Sequence, residues 1–134
     1  MILDTAFVVA LGRGDEAAFS KGVTLSESGE VQWLPVPVIQ ELEYGVEFTG
    51  DEAEQRRARN VCRLYPPVNV DSELARRAGQ LLARADLASG GEVGAAGIGT
   101  VDAQVAAVAD VFDDAVLTDN VTDFEVLGVE VETY

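Results

Sequence analysis

Apolar residues recur along this chain in short runs and in helical spacing, and Gly, Pro and Asp mark the breaks between them. Met1 to Leu3 form a brief apolar run that reads as a strand. Ala6-Phe7-Val8-Val9-Ala10-Leu11 then predict a helix over 5–11, capped by Asp4 or Thr5. Gly12-Arg13-Gly14-Asp15 break that helix, and 16–26 suit a second one, with Ala17, Ala18, Phe19 and Val23 apolar. Ser28-Gly29 make a turn, and 31–36 read as a strand interrupted at Pro35. Pro37 fits the first position of a helix that continues over 38–48 and ends at Thr49-Gly50. A charged helix is expected over 51–64. Pro66-Pro67 stop it, and Val68-Asn69-Val70 form a third strand. Asp71 or Ser72 caps a helix running to Ala88. Gly90, Gly91, Gly94, Gly97 and Gly99 turn the next stretch into a loop. Residues 101–112 are apolar almost all round, which predicts a buried helix. A strand at 115–118, a turn or short helix at 120–127 and a strand at 128–133 close the chain.

Strands separated by helices predict an α/β sandwich with a mainly parallel central sheet. Residues 1–134 read as one domain, with no internal repeat. Open sheets of this kind place their sites at the carboxyl ends of strands, where Asp4 and Asp119 fall.

Composition narrows the chemistry. The chain is 48% hydrophobic despite a formal charge of −15, which argues for a packed core and against disorder. No apolar run is long enough to span a membrane. No basic segment followed by an apolar one precedes the first strand, so we expect no secretory leader and a cytoplasmic location. Cys62 is the only cysteine. It excludes an internal disulfide or a paired-cysteine metal knuckle and reads as a small apolar filler. With no histidine, Ser-His-Asp triads, Cys-His pairs and His-ligated zinc are excluded. Carboxylates, hydroxyls, arginines and Lys21 remain. Acid-rich, lysine-poor composition resembles proteins of salt-loaded cytoplasm, as in haloarchaea. At molar salt the Debye length falls to about 3 Å, so an acidic chain still has access to a nucleic acid through local contacts.

Against an acidic background only acids in apolar settings carry weight. Asp4 closes Met1-Ile2-Leu3. Glu41 lies between Val38-Ile39-Gln40 and Leu42. Asp102 is the only charge between Val101 and Ala109, and Asp123 follows Val116-Leu117-Thr118 closely. Buried carboxylates need a positive neutraliser. An oxygen-only donor set favours Mg²⁺ or Mn²⁺, which keeps waters and leaves room for phosphate. Such a cation acidifies a water and stabilises in-line displacement at phosphorus. Other readings stand beside this one. Asp4 also occupies a helix N-cap position, Asp102 a first-turn position favoured by the helix dipole, and Glu41 resembles the solvated Glu43 and Glu47.

Four segments carry a resemblance to a known family. Met-Ile-Leu-Asp-Thr at 1–5, Val-Ile-Gln-Glu-Leu-Glu-Tyr-Gly at 38–45, Val-Asp-Ala-Gln-Val-Ala-Ala-Val-Ala at 101–109 and Val-Leu-Thr-Asp-Asn-Val-Thr-Asp-Phe-Glu at 116–125 resemble PIN-domain ribonucleases, in particular VapC-type toxins of toxin–antitoxin pairs. The resemblance implies a three-layer α/β/α sandwich, Mg²⁺ or Mn²⁺ dependence and endonucleolytic cleavage of RNA. It also implies a homodimer and a small antitoxin partner. Asp4, Glu41 and Asp102 match the family's acids, with Asp4 and Asp102 as principal metal ligands. Asp123 is the favoured fourth, supporting metal-bound water, while Asn120 stands in the first acid position of that segment and Asp119 remains open. Thr5, Thr118 and Asn120 match positions that place water or substrate. Ala6 departs from the family's usual Ser or Asn.

Two rivals belong to other classes. A receiver-type phosphoacceptor also gathers acids around Mg²⁺, but it needs paired acids after the first strand and a late lysine, and neither is present. The other is a catalytically silent PIN-like module that only binds a partner. Two further features are weaker. The glycine-rich stretch lacks a phosphate-loop signature and reads as a loop leading to Asp102. Arg56, Arg59 and Arg63 share a helical face, with Arg57 beside it. That face is either solvated and paired with Glu52 and Glu54, or a strip for phosphate or antitoxin. Val8, Val9, Leu11 and Phe19 read as core or as a partner surface.

Overall fold

The computed structural model describes residues 1–134. In chain order the elements are β1 (Ile2–Leu3), α1 (Thr5–Arg13), α2 (Glu16–Ser28), β2 (Leu34–Pro35), α3 (Val36–Thr49), α4 (Glu52–Cys62) and β3 (Pro67–Val68), then α5 (Ser72–Ala88), α6 (Thr100–Phe112), β4 (Val116–Leu117), α7 (Val121–Leu127) and β5 (Val131–Glu132). Every strand pairing is parallel. β1 pairs β4 and β4 pairs β5, while β2 pairs β3. A parallel bridge between Ile2 and Trp33 joins the two groups, giving the spatial order β3-β2-β1-β4-β5.

That order fixes the layers. From β1 the chain steps to β2 and then β3 in one direction. It then crosses back to β4 and on to β5. Right-handed crossovers therefore place α1–α4 on one face and α5–α7 on the other. The packing agrees: α1 touches α2, α3 and α4, and α5, α6 and α7 touch one another. The result is the expected three-layer α/β/α sandwich. The direction of winding reverses between β1 and β4, and such a switch point opens a crevice at the strands' carboxyl ends.

The strands are shorter than the apolar runs suggest. Pro35, Pro66 and Pro67 lack the N–H that a longer ladder needs, so β2 and β3 stop early. Pro35 ends a strand and leads into α3, whose first residue is Val36. Pro37 is therefore the second helical position, where its missing N–H is equally harmless. Asp15, Asp51 and Asp71 cap α2, α4 and α5 through their side chains. Gly14, at φ 79°, ends α1 in the left-handed region, so the break at 12–15 narrows to a single cap-to-cap joint.

One contiguous apolar core draws on every helix layer and on four of the strands, with Phe7, Phe124, Ile2, Leu3, Leu34 and Leu117 fully enclosed. Each such side chain contributes about 1.5–3 kcal/mol over exposure. The small residues Ala103, Ala106, Ala107 and Ala109 let α6 lie deep against the sheet and α5. No helix is long and apolar enough to cross a membrane.

Candidate active site

Register brings the first two groups together. Leu3 pairs Leu117, so the residues that follow, Asp4 and Thr118, emerge side by side at the switch point. Asp4 is 4% exposed and Thr118 fully buried. Thr118 Oγ1 donates a 2.7 Å hydrogen bond to Asp4 Oδ2. Asp4 holds the N-cap backbone position of α1 yet makes no side-chain capping bond. Three other aspartates in that position do cap their helices. Asp4's carboxylate thus makes its side-chain hydrogen bond to Thr118 rather than a capping bond of that kind. Burial pushes its pKa up, against the pull of Thr118 and of the nearby Thr5 and Ala6 amides, and the Glu41 charge adds to the rise.

Glu41 arrives on α3. Val38 and Leu42 are buried one turn apart, so Glu41 sits at the edge of the buried face, half-exposed. Its Oε2 accepts a hydrogen bond from Thr5 Oγ1 at the start of α1. Asp102 lies in the first turn of α6, in line with the buried Val105, Ala106 and Ala109. A helix N-terminus alone would lower its pKa. Instead it is pushed up to about 6, chiefly by burial and then by the charges of Asp4, Glu41 and Asp123. Asp123, in the first turn of α7, accepts a 2.8 Å bond from Asn120 Nδ2, and the Asn120 amide donates to Thr118 Oγ1 at 2.9 Å.

The chain therefore gathers Asp4, Glu41, Asp102 and Asp123 into one electrostatic neighbourhood. Thr118, Thr5 and Asn120 each hold one of these acids. Asp102 alone has no side-chain partner. No ion pair joins any of the four to a lysine or arginine. Asp119 lies elsewhere: it is exposed and shares a shallow hollow with Asp15, Arg13 and Tyr134.

The expected metal set of Asp4, Asp102 and Asp123 is not preassembled, for no three acids converge as a cage that would hold an ion. Like charges repel, and three of the four carboxylates are turned to neutral donors. The donor set itself is all oxygen, negative and unneutralised. It suits a hard cation that takes one or two carboxylates directly and keeps its remaining waters, as Mg²⁺ does. A closed site of the calcium or zinc kind does not fit.

Two residues had no sequence signal. Tyr134 packs edge-on against Phe7, with ring centroids 5.2 Å apart. Its phenol is pushed up to about 12 by burial and by Asp119, Asp4 and Asp15. Asp86 accepts hydrogen bonds from the Gly94 and Ala96 amides at 2.8 and 2.9 Å, and so ties down the glycine-rich loop before α6.

Fold and site together define a PIN domain. The PIN-domain family pattern matches residues 1–128, and the chain belongs to that family. Among solved structures, the chain resembles the toxin–antitoxin complex VapBC of Salmonella typhimurium bound to DNA, with TM-score 0.74, 24% identity and coverage of 98% of this chain and 96% of the other. VapBC2 of Rickettsia felis bound to a promoter fragment gives TM-score 0.74, 18% identity and coverage of 98% and 96%. VapC20 of Mycobacterium tuberculosis, a sarcin–ricin loop cleaving toxin, gives 0.66, 19% identity, 96% and 95%. No curated protein sequence matches the chain.

Proposed function

We propose that residues 1–134 form a single divalent-metal-dependent endoribonuclease domain that acts in the cytoplasm as the toxin of a toxin–antitoxin pair. The observation that carries this reading is the acid group at the switch point. A buried aspartate turns its carboxylate to Thr118, and burial, together with the charges of Asp4, Glu41 and Asp123, pushes Asp102 up to about 6, with no arginine or lysine paired to any of the four. Such a group costs stability, and active sites are where proteins carry that cost. Support from likeness is twofold: the PIN family, and solved structures that include a toxin cleaving the sarcin–ricin loop.

Asp4 and Asp102 would hold Mg²⁺ or Mn²⁺, with Asp123 supporting the ion's waters. The cation, when bound, supplies charge neutralisation and Lewis acidity at the phosphoryl group. Glu41 has Oε2 held by Thr5, which leaves Oε1 to accept a proton from the attacking water. Thr118 fixes Asp4, and Asn120 fixes Asp123, so both carboxylates are oriented before substrate arrives. A small antitoxin is the expected partner, in keeping with the VapBC complexes among the similar structures, and a second copy of the chain the expected subunit.

Asp4→Asn and Asp102→Asn test the proposal. Each is expected to lower cleavage of RNA in Mn²⁺ by about a hundredfold or more while leaving the protein folded. Full activity in both variants would end the mechanism. The silent-module reading draws on the lack of a preassembled three-acid cage. It requires that the wild-type protein leave RNA intact with and without Mn²⁺.

A further inference from the structure

The charge pattern of the whole molecule raises a physical difficulty for any polyanionic substrate. The chain carries −15, and four of its nine lysines and arginines are committed to ion pairs. Lys21 pairs with Glu132, Arg13 with Glu54, Arg56 with Glu52 and Arg77 with Asp110. Arg57, Arg59, Arg63, Arg76 and Arg84 make no ion pair, and Arg84 lies near enough to Asp110 to lower its pKa.

Of these only Arg57 lines the cleft that runs from the acid group. That cleft lies between α1, α3 and α4 and is shared with Thr5 and Glu41. Its floor is apolar, from Val8, Val9, Leu42 and Val46. Gly12 of α1 packs against α4 at ordinary contact distance. A Cβ built there would stand 3.6 Å from Val61 Cγ2 and 3.8 Å from Arg57 Cβ, so the base of Arg57 is anchored at the helix contact while its guanidinium is free. The expected strip on Arg56, Arg59 and Arg63 is not what faces the cleft. Arg56 spans 4.0 Å to Glu52, and Arg63 lies past the helix end.

We propose that Arg57 grips a phosphate of the RNA strand adjacent to the one being cleaved. The inference rests on the nuclease reading and deepens it. A guanidinium meets a phosphate with two parallel N–H donors and does not deprotonate. Lining the same cleft as Glu41, over an apolar floor, it supplies the local positive contact that the overall charge withholds. Sugar and base faces of the strand lie against Val8, Val9 and Val46.

The experiment compares the wild type with Arg57→Ala, Arg57→Lys and, as a control outside the cleft, Arg59→Ala. Binding is read by anisotropy of a labelled single-stranded RNA of random sequence across a salt series, and cleavage on total ribosomal and transfer RNA in Mn²⁺. Arg57→Ala is expected to weaken binding about tenfold. It is also expected to flatten the slope of log K against log salt by about 0.7, the signature of one lost phosphate contact on a single strand. KM rises while kcat holds, Arg57→Lys recovers part of the affinity, and Arg59→Ala matches the wild type. A general structural role would not move the salt slope, and melting curves confirm the fold of each variant. An unchanged slope in Arg57→Ala, in a wild type that does cleave, overturns this inference and leaves the nuclease reading standing. A wild type that cleaves no RNA overturns both.

Discussion

Thr118 Oγ1 lies 2.7 Å from Asp4 Oδ2, a hydrogen bond that spans 114 positions of sequence and closes the junction of β1 and β4. It is the side-chain hydrogen bond on a carboxylate that is 4% exposed. Thr118→Val keeps the shape and removes the donor. The expected cost is about 1–3 kcal/mol, because a buried acid loses its side-chain donor. Thermal melting reads the loss, and Thr118→Ser should recover most of it. The double variant Thr118→Val with Asp4→Asn should be more stable than Thr118→Val alone. Simple additivity of the two substitutions would show that the bond does not couple them.

Asp102 gives a pH signature. Its pKa stands at about 6 in the fold, against 3.8 for an ordinary aspartate. The folded state therefore binds a proton more tightly than the unfolded chain. Stability falls as pH rises from about 4 to about 6 and is level above that. Since Asp102 is half-exposed, the ionised form costs on the order of 1–2 kcal/mol once solvent screening is allowed for. Asp102→Asn should raise the melting temperature of the metal-free protein at neutral pH, and the gain should fade on acidification to pH 4. A variant less stable than the wild type at neutral pH would show that the carboxylate is compensated.

Adding a cation should move stability the other way. Mg²⁺ or Mn²⁺ bound to the folded state alone stabilises it by about 2.7 kcal/mol at one hundred times Kd. The wild-type melting temperature should therefore climb with divalent ion and fall back with chelator. In Asp4→Asn combined with Asp102→Asn, the ion-dependent rise should vanish. An equal rise in both proteins would place the ion elsewhere on this acidic surface.

The acids were legible because apolar neighbours set them apart, and the α/β order because helical and strand periods alternate. Other features were hidden for physical reasons. Which acid of the 119–123 segment joins Asp102 depends on how α7 turns: Asp123 faces the group and Asp119 turns toward Tyr134. Asp86 carries no signal in its helix, since its partners are amides of a loop that has no pattern of its own. Helical spacing showed that Arg56, Arg59 and Arg63 share a face. It could not show that α4 presents Arg57 to the cleft, which depends on how α4 packs against α1. Glu54 was expected to pair within its own helix and instead reaches Arg13 on α1.

Salt separates the long-range charge from the local contacts. With a formal charge of −15, the folded chain repels itself, and compaction brings those charges closer than the unfolded chain does. Most of the acids are exposed, so screening reaches them. At about 0.1 M salt the Debye length is about 10 Å, and near 1 M it is about 3 Å. The melting temperature should rise steeply over that range, in contrast to a chain of balanced charge. The Arg77–Asp110 pair, which ties α5 to α6 at 2.6 and 3.0 Å, acts in the opposite sense, but an exposed pair is worth only about 0–1 kcal/mol. Self-repulsion therefore dominates. Titration with KCl in the presence of chelator, followed by circular dichroism, reads this effect without contribution from the divalent site. A melting temperature that falls with salt would mean that local ion pairs outweigh the net charge, and would remove the physical basis for regarding this composition as fitted to a salt-loaded interior.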